Sequence, residues 1–328
     1  MARPTSLIQM PPVEPGAGIA VIAPASFARE ERVERGLAAL HALGYAPKLG
    51  AGAAERGPLY FAGTAARRLA GLHAAFEDPA AGVVMSLRGG YGSNYLLDGL
   101  DIEKIARHPK PFFAYSDLTG VQLRLLDAIG LIAFHGPMLA ADFCFDDGVH
   151  LPSFVAALRG DAYSAGEEEG LRALQLGSAR GMLYGGCLSI VVSLLGTPWE
   201  PRTEGRLLFL EDVGVKPYQV DRMLWQLRKA GKLDGVPGIV FGEMLDCVSP
   251  GAAPGLLEEA ILSALDGFDG PIAMGLRSGH VSRQNVTLRF GAEAELTSGQ
   301  QTHLHLFPPQ PSPAQRFSPQ PFSPMEAQ

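Results

Sequence analysis

Two α/β halves are predicted: an N-terminal parallel-sheet domain carrying a nucleophile elbow, and a C-terminal mixed α/β domain with a β-rich end. Three observations point there. Short apolar runs closed by turn residues alternate with stretches of helical spacing through the first half of the chain, the pattern of a parallel sheet covered by helices. That alternation fades between Asp146 and Gly181 and then resumes. From Val286 to Leu306 the spacing changes to short alternating stretches, more β than α.

Gly18 to Pro24 reads as a buried strand, and Arg29 to Leu43 follows as a helix with Val33, Leu37 and Leu40 on one face, closed by Gly44. Thr64 is placed to cap a helix carrying Leu69, Leu72 and Phe76, after which Gly82 to Leu87 is a short apolar strand. Pro111 to Ala114 is the next strand, and it runs through Tyr115-Ser116-Asp117 into a helix with Leu118, Val121 and Leu125 on one face. Asp161, Ser164, Gly166 and the acidic run Glu167-Glu168-Glu169 mark a connection. Beyond it come a strand at Arg206 to Leu210, a helix from about Val220 to Ala230, a strand at Gly238 to Phe241, and a helix with Leu256, Leu257, Ile261 and Leu265. The expected division is therefore 15–150 for the nucleophile domain, 151–180 for the connection and 181–307 for the second domain. The Pro-, Gln- and Ser-rich tail, 308–328, is expected to be disordered because it has too little apolar surface to fold alone.

Composition narrows the class. A length of 328 residues with 47% apolar content suits two domains with a substantial core each. The net charge of −7, without a dense Lys/Arg cluster, argues against nucleic-acid or anionic-membrane partners and for a small-molecule substrate. Cys144, Cys187 and Cys247 are odd in number and widely spaced, so neither a disulfide framework nor a zinc motif is indicated. Met1 to Gly18 has prolines and no apolar leader core, and no later run approaches the roughly 18 apolar residues of a membrane span, so a cytoplasmic location is expected.

Ser116 is the first candidate nucleophile. A serine at the end of a strand and the start of a helix is pushed out of the sheet and surrounded by free amides. By itself this position also suits a helix cap, by Ser116 or Asp117. A serine nucleophile needs a base, and the base an orienting acid. His280 stands in a Gly-bounded loop from which its ring can project into a cleft, although a surface loop histidine has the same appearance. His135 ends a predicted strand, where bonding to backbone groups near the elbow is the ordinary role; His303 and His305 alternate on a late strand and are expected to face solvent. Glu211 and Asp212 directly follow the apolar run Leu207 to Leu210, and a charge there needs a partner or else caps the next turn. Paired-carboxylate glycosidase chemistry with Glu211 and Asp117 has no other support in the sequence.

Taken together, Arg88-Gly89-Gly90-Tyr91-Gly92, Tyr115-Ser116-Asp117-Leu118-Thr119, His135-Gly136-Pro137-Met138, Gly185-Gly186, Gly196-Thr197-Pro198, Leu210-Glu211-Asp212-Val213, Asp221-Arg222, and Gly279-His280 with Asn285 resemble the LD-carboxypeptidase family of serine peptidases. The match in order and spacing runs from about Gly18 to Gly291. The resemblance implies a Ser-Glu-His triad of Ser116, Glu211 and His280, with no metal or organic cofactor, and a homodimer. Backbone amides of Asp117 and Gly90 are the expected oxyanion donors, each contributing roughly 3 kcal/mol in other hydrolases. The implied substrate is a muropeptide that loses its terminal D-alanine, in cell-wall recycling. One branch of the family instead hydrolyses aminoacyl-nucleotide amides of the microcin type and gives antibiotic self-immunity; a non-catalytic binding protein and an esterase on an α/β-hydrolase pattern are the remaining readings. Three positions depart from the family pattern: Cys187 where asparagine is expected, Ala114 for glycine, and Arg289 for proline.

Overall fold

The computed structural model describes residues 7–309, so residues 310–328 of the expected tail lie outside the described residues. Five short strands, β1 (Gly18–Ile22), β2 (Ala46–Leu49), β3 (Ala81–Ser86), β4 (Phe112–Ala114) and β5 (Ala133–His135), pair in parallel. Helices α1 (Glu30–Ala42), α2 (Ala65–Glu77), α3 (Ile102–Arg107) and α4 (Thr119–Ile129) lie between them. Each strand sends alternate side chains to opposite faces, and both faces are covered. Ile19, Val21, Val83, Met85 and Phe113 join Leu40 of α1 in one core. Ala20, Ile22, Val84, Phe112 and Ala114 join Leu72 and Phe76 of α2 and Val121 and Leu125 of α4 in the other. Thr64 caps α2 as expected, accepting from the Arg67 amide at 3.3 Å.

The second half continues with α5 (Leu151–Arg159), β6 (Tyr163–Ala165), β7 (Arg172–Gln175), β8 (Gly177–Cys187), α6 (Leu188–Ser193), β9 (Arg206–Glu211), α7 (Pro217–Lys229), β10 (Ile239–Gly242), α8 (Leu256–Ala264), β11 (Ile272–Leu276), β12 (Leu288–Phe290), β13 (Glu293–Ser298) and β14 (His303–Leu306). Its eight-stranded sheet has the order β6-β14-β13-β8-β9-β10-β11-β7, with β8 to β11 mutually parallel and antiparallel pairs toward both edges.

Sequence patterning placed no strand at β2, β8 or β11 and no helix at α3 or α6, and two further features it did not give shape the second sheet and the join between the halves. The segment 151–180 contains a helix and both edge strands of the second sheet. Edge strands of three and four residues, largely half-exposed, carry too little apolar periodicity to be read. Strand β12, close to the C-terminal end of the chain, leaves its neighbours and closes the first sheet antiparallel to β5, with Leu288 opposite His135. Leu288 and Phe290 of that strand share one core with Leu123 and Leu126 of α4 and with Phe209 of β9, so the halves are joined through buried apolar surface.

Candidate active site

In a parallel sheet the loops after the carboxyl ends of the strands gather at one edge. From the first sheet, β3 leads into Arg88-Gly89-Gly90, β4 into Tyr115-Ser116, and β5 ends on His135. From the second, β8 ends on Cys187, its register partner Glu211 ends β9, and β11 leads through Arg277-Ser278-Gly279 to His280. The two carboxyl edges meet, and Ser116 of one faces His280 of the other.

Ser116 has φ = +64°, a left-handed conformation that is unfavourable for a residue with a Cβ. It opens a single 3-10 turn, Ser116–Leu118, that runs directly into α4. Neither helix start has a side-chain cap bond, so the capping role is not the one the structure uses. The adjacent Gly89 leaves the room this requires: a Cβ on it would lie 2.7 Å from the Ser116 Cβ and 2.9 Å from its Oγ. The Asp117 carboxylate points away to accept the Ser93 amide at 2.8 Å, which removes it from any paired-carboxylate arrangement with Glu211. Neither the Asp117 nor the Gly90 backbone N–H donates to an acceptor among the described residues, and both belong to loops touching Ser116.

The Ser116 Oγ lies 3.0 Å from His280 Nε2, and His280 Nδ1 lies 2.8 Å from Glu211 Oε2. The same carboxylate oxygen accepts the His280 backbone amide at 3.0 Å, which fixes the ring and its loop together. Glu211 is fully buried. Burial alone would raise its pKa, but the charge and hydrogen bond of His280, the nearby His135 and the His280 amide outweigh it and hold the carboxyl below its ordinary value. Burial would likewise lower His280; Glu211, with Asp212 and Asp142 behind it, reverses that and raises the imidazole above 6.5. With Nδ1 donating to the carboxylate, Nε2 is free to accept the serine proton. The neighbouring Asp212 performs the humbler task expected of such a pair, accepting the Ser189 amide at 2.8 Å at the start of α6.

Two supporting residues carry little signal in the sequence. Asp142 is buried and accepts from the Met138 amide, the Asn285 amide nitrogen and the Tyr115 hydroxyl; its pKa is raised to about 6, burial outweighing those bonds. Asn285 in turn accepts the Gly279 amide at 3.0 Å and donates to the Gly279 carbonyl at 3.1 Å, so one chain of bonds runs from Tyr115 beside Ser116 to Gly279 beside His280. His135 differs from expectation. It is fully buried among Tyr115, Phe209 and Phe290, and neither ring nitrogen has a hydrogen-bond partner, so it does not bond the backbone near the elbow. Its pKa is pushed down to about 4, chiefly by burial, and it stays neutral at ordinary pH. Gly279, at φ = +87°, sits between it and the acid, because a Cβ there would lie 2.6 Å from Glu211 Cδ and 2.7 Å from His135 Nε2.

Cys187 Sγ, the Glu211 carboxylate and a His280 nitrogen lie within 4.8 Å of one another, a set that can in principle ligate a metal ion. The 2.8 Å between Glu211 Oε2 and His280 Nδ1 is the length of a direct hydrogen bond, which engages both atoms with each other. The Cys187 thiol is also pushed well up by burial and by Glu211, which favours the protonated form. The arrangement suits proton transfer between a hydroxyl and an imidazole beside two free amides, which is what acyl transfer needs. A hollow of about 160 Å³ opens onto Ser116 and His280; a larger one of about 500 Å³ between Glu200 and Gly235 contains none of these residues.

Two family models describe the chain: the LD-carboxypeptidase N-terminal domain matches residues 19–136 and the LD-carboxypeptidase C-terminal domain residues 180–296. The chain belongs to the LD-carboxypeptidase family. It is 37% identical to a probable murein peptide carboxypeptidase of Bacillus subtilis, over 88% of this chain and 91% of the relative, and 32% identical to a murein tetrapeptide carboxypeptidase of Pseudomonas aeruginosa, over 90% and 97%. A muramoyltetrapeptide carboxypeptidase structure from Oxalobacter formigenes superposes with a TM-score of 0.77 at 29% identity, covering 89% of this chain and 99% of that one. Within this LD-carboxypeptidase the departures have local effects. Ala114 is a buried residue of β4 whose carbonyl accepts from Gln122, and Arg289 is buried on β12, where it donates to the Asp161 and Phe307 carbonyls at 2.7 and 3.1 Å. Cys187 alone touches the site, with its amide on the Thr119 hydroxyl and its sulfur 3.4 Å from the Ser189 hydroxyl.

Proposed function

We propose that this protein is a serine-type LD-carboxypeptidase that releases terminal D-alanine from murein tetrapeptides. The observation that carries the reading is the continuous bond chain from Ser116 Oγ through His280 to the buried Glu211. His280 takes the Ser116 proton as the hydroxyl attacks the scissile carbonyl, and the Asp117 and Gly90 amides receive the oxyanion. The imidazolium, stabilised by Glu211, then protonates the leaving amine of D-alanine, and water repeats the sequence on the acyl-enzyme. No step uses a cofactor. A cytoplasmic location and a homodimer belong to the same proposal, the homodimer resting on the family resemblance. Among the described residues no helix is long and apolar enough to cross a membrane.

The test is mass-spectrometric detection of D-alanine release from a purified murein tetrapeptide, beside Ser116→Ala and an aminoacyl-sulfamoyl adenylate. Release by the unaltered protein alone is expected. The chain is also 27% identical to the microcin C7 self-immunity protein of Escherichia coli over 83% of its length. Cleavage of the nucleotide alone would move the protein to that branch.

A further inference from the structure

The hollow at Ser116 carries a charge opposite to that of the chain. The net charge of the protein is −7, yet among the described residues lining this hollow the permanently charged side chains are Arg32 and Arg88, and no carboxylate is present. Both side chains are exposed, and neither has an ion pair or side-chain hydrogen bond among the described residues. Several other arginines are paired: Arg35, one turn from Arg32 on α1, with Asp146, and Arg159, Arg180 and Arg206 with Glu14, Glu293 and Asp127. Arg32 is steadied by the Phe145 ring, 5.1 Å beneath its guanidinium, and Arg88 leads directly into the Gly89-Gly90 turn that packs on the nucleophile. The remaining wall, Met138, Ala140 and Ala141, is apolar and small.

We propose that Arg88 and Arg32 form a clamp for the free carboxylate of the residue being released, and that the small apolar wall admits its methyl side chain. The inference rests on the peptidase reading above. In an exopeptidase the leaving nitrogen, protonated by His280 Nε2, is separated from the terminal carboxylate by a single carbon, so that carboxylate must lie in the hollow His280 faces. A guanidinium presents a planar pair of donors that matches a carboxylate bidentately. The clamp limits cleavage to a C-terminal bond and selects a small last residue.

Binding separates this claim from the catalytic one. Ser116→Ala protein is titrated calorimetrically with the murein tetrapeptide and with the same peptide carrying a C-terminal amide. The free acid is expected to bind about tenfold to a hundredfold tighter, as for a charged hydrogen-bonded contact. Adding Arg88→Gln or Arg32→Gln should abolish the preference, and Arg88→Lys should restore part of it. Both arginines are exposed, and circular dichroism checks that the variants remain folded. Equal binding of acid and amide overturns the clamp even when the unaltered enzyme releases D-alanine. A carboxylate preference that survives both glutamine variants overturns it too. Carboxylate-dependent binding without turnover by the unaltered protein sinks the peptidase reading and with it the assignment of the carboxylate to a released residue, leaving only an anion-binding pair at Arg88 and Arg32.

Discussion

The proposed nucleophile and its proposed base are held in place by opposite means. Ser116 is held by the backbone: a three-residue strand, a left-handed φ of +64° and a helix start behind it, with Gly89 clearing the space in front. His280 is held by side chains, through the Glu211 carboxylate on its ring and amide and through Asn285 and Asp142 behind Gly279. Strain of this kind costs on the order of 1–3 kcal/mol and persists only where the surrounding fold over-determines it, as the strand and helix do here. A loop with no such scaffold needs hydrogen bonds instead, and buried ones hold firmly because an unmet partner is expensive. The catalytic unit therefore has a stiff half and a bonded half, and perturbations should separate them.

Removing the hydroxyl gives the largest effect. Ser116→Ala should lose activity by about a millionfold in single-turnover assays, in line with other serine hydrolases. Its stability should fall about 1 kcal/mol below that of Ser116→Gly in urea titrations, because glycine accepts the left-handed angle. Equal stability of the two would show that the elbow is not strained. On the bonded side, Glu211→Gln should lower kcat by about ten-thousandfold.

The pH profile sharpens the same contrast. His280 must be neutral to act as base, and its pKa is raised, so the acid limb of kcat/KM should lie above 6.5. Glu211→Gln removes the charge that raises it and leaves burial, so the residual activity should show a limb displaced to lower pH. A limb below 6.5 in the unaltered enzyme would contradict the assigned electrostatics. Smaller steric changes come next: Gly89→Ala and Gly279→Ala should each reduce kcat by about a hundredfold, the scale expected for a displacement near 1 Å. The former acts on the nucleophile and should leave the acid limb in place, whereas the latter pushes on Glu211 and should move it.

The smallest effect concerns stability. His135 has its folded pKa depressed to about 4, so the neutral form it requires contributes stability that is present above 6.5 and lost as pH falls toward 4. His135→Leu should flatten that part of a Tm-versus-pH curve, and an unchanged slope would mean that the ring titrates normally.

Much of this architecture was legible in the residue order. Apolar runs between helical stretches announced β1, β3 and β4, and the turn after Ala114 marked Ser116, because local patterning records which side chains a strand buries; the half-exposed β2 was not announced. Edge strands β6 and β7 escaped because half-exposed short segments carry little pattern, and the placement of β12 escaped because a three-residue apolar strand does not encode its partner. The roles of Asp142 and Arg32 were invisible for a related reason: each is an ordinary charged residue until another segment is brought beside it.

By itself the sequence determined the α/β class, the strand that delivers Ser116 and, through its motifs, the family and the three residues of the proposed triad. Only the tertiary structure decided that two separate sheets present their carboxyl edges to each other, that Glu211 lies within 2.8 Å of a histidine 69 residues away, and that two unpaired arginines share a hollow with the nucleophile. The physical reason is that periodicity reports burial along one chain segment, whereas a charge, a bond length and a pKa are set by whichever segments the closed core brings together.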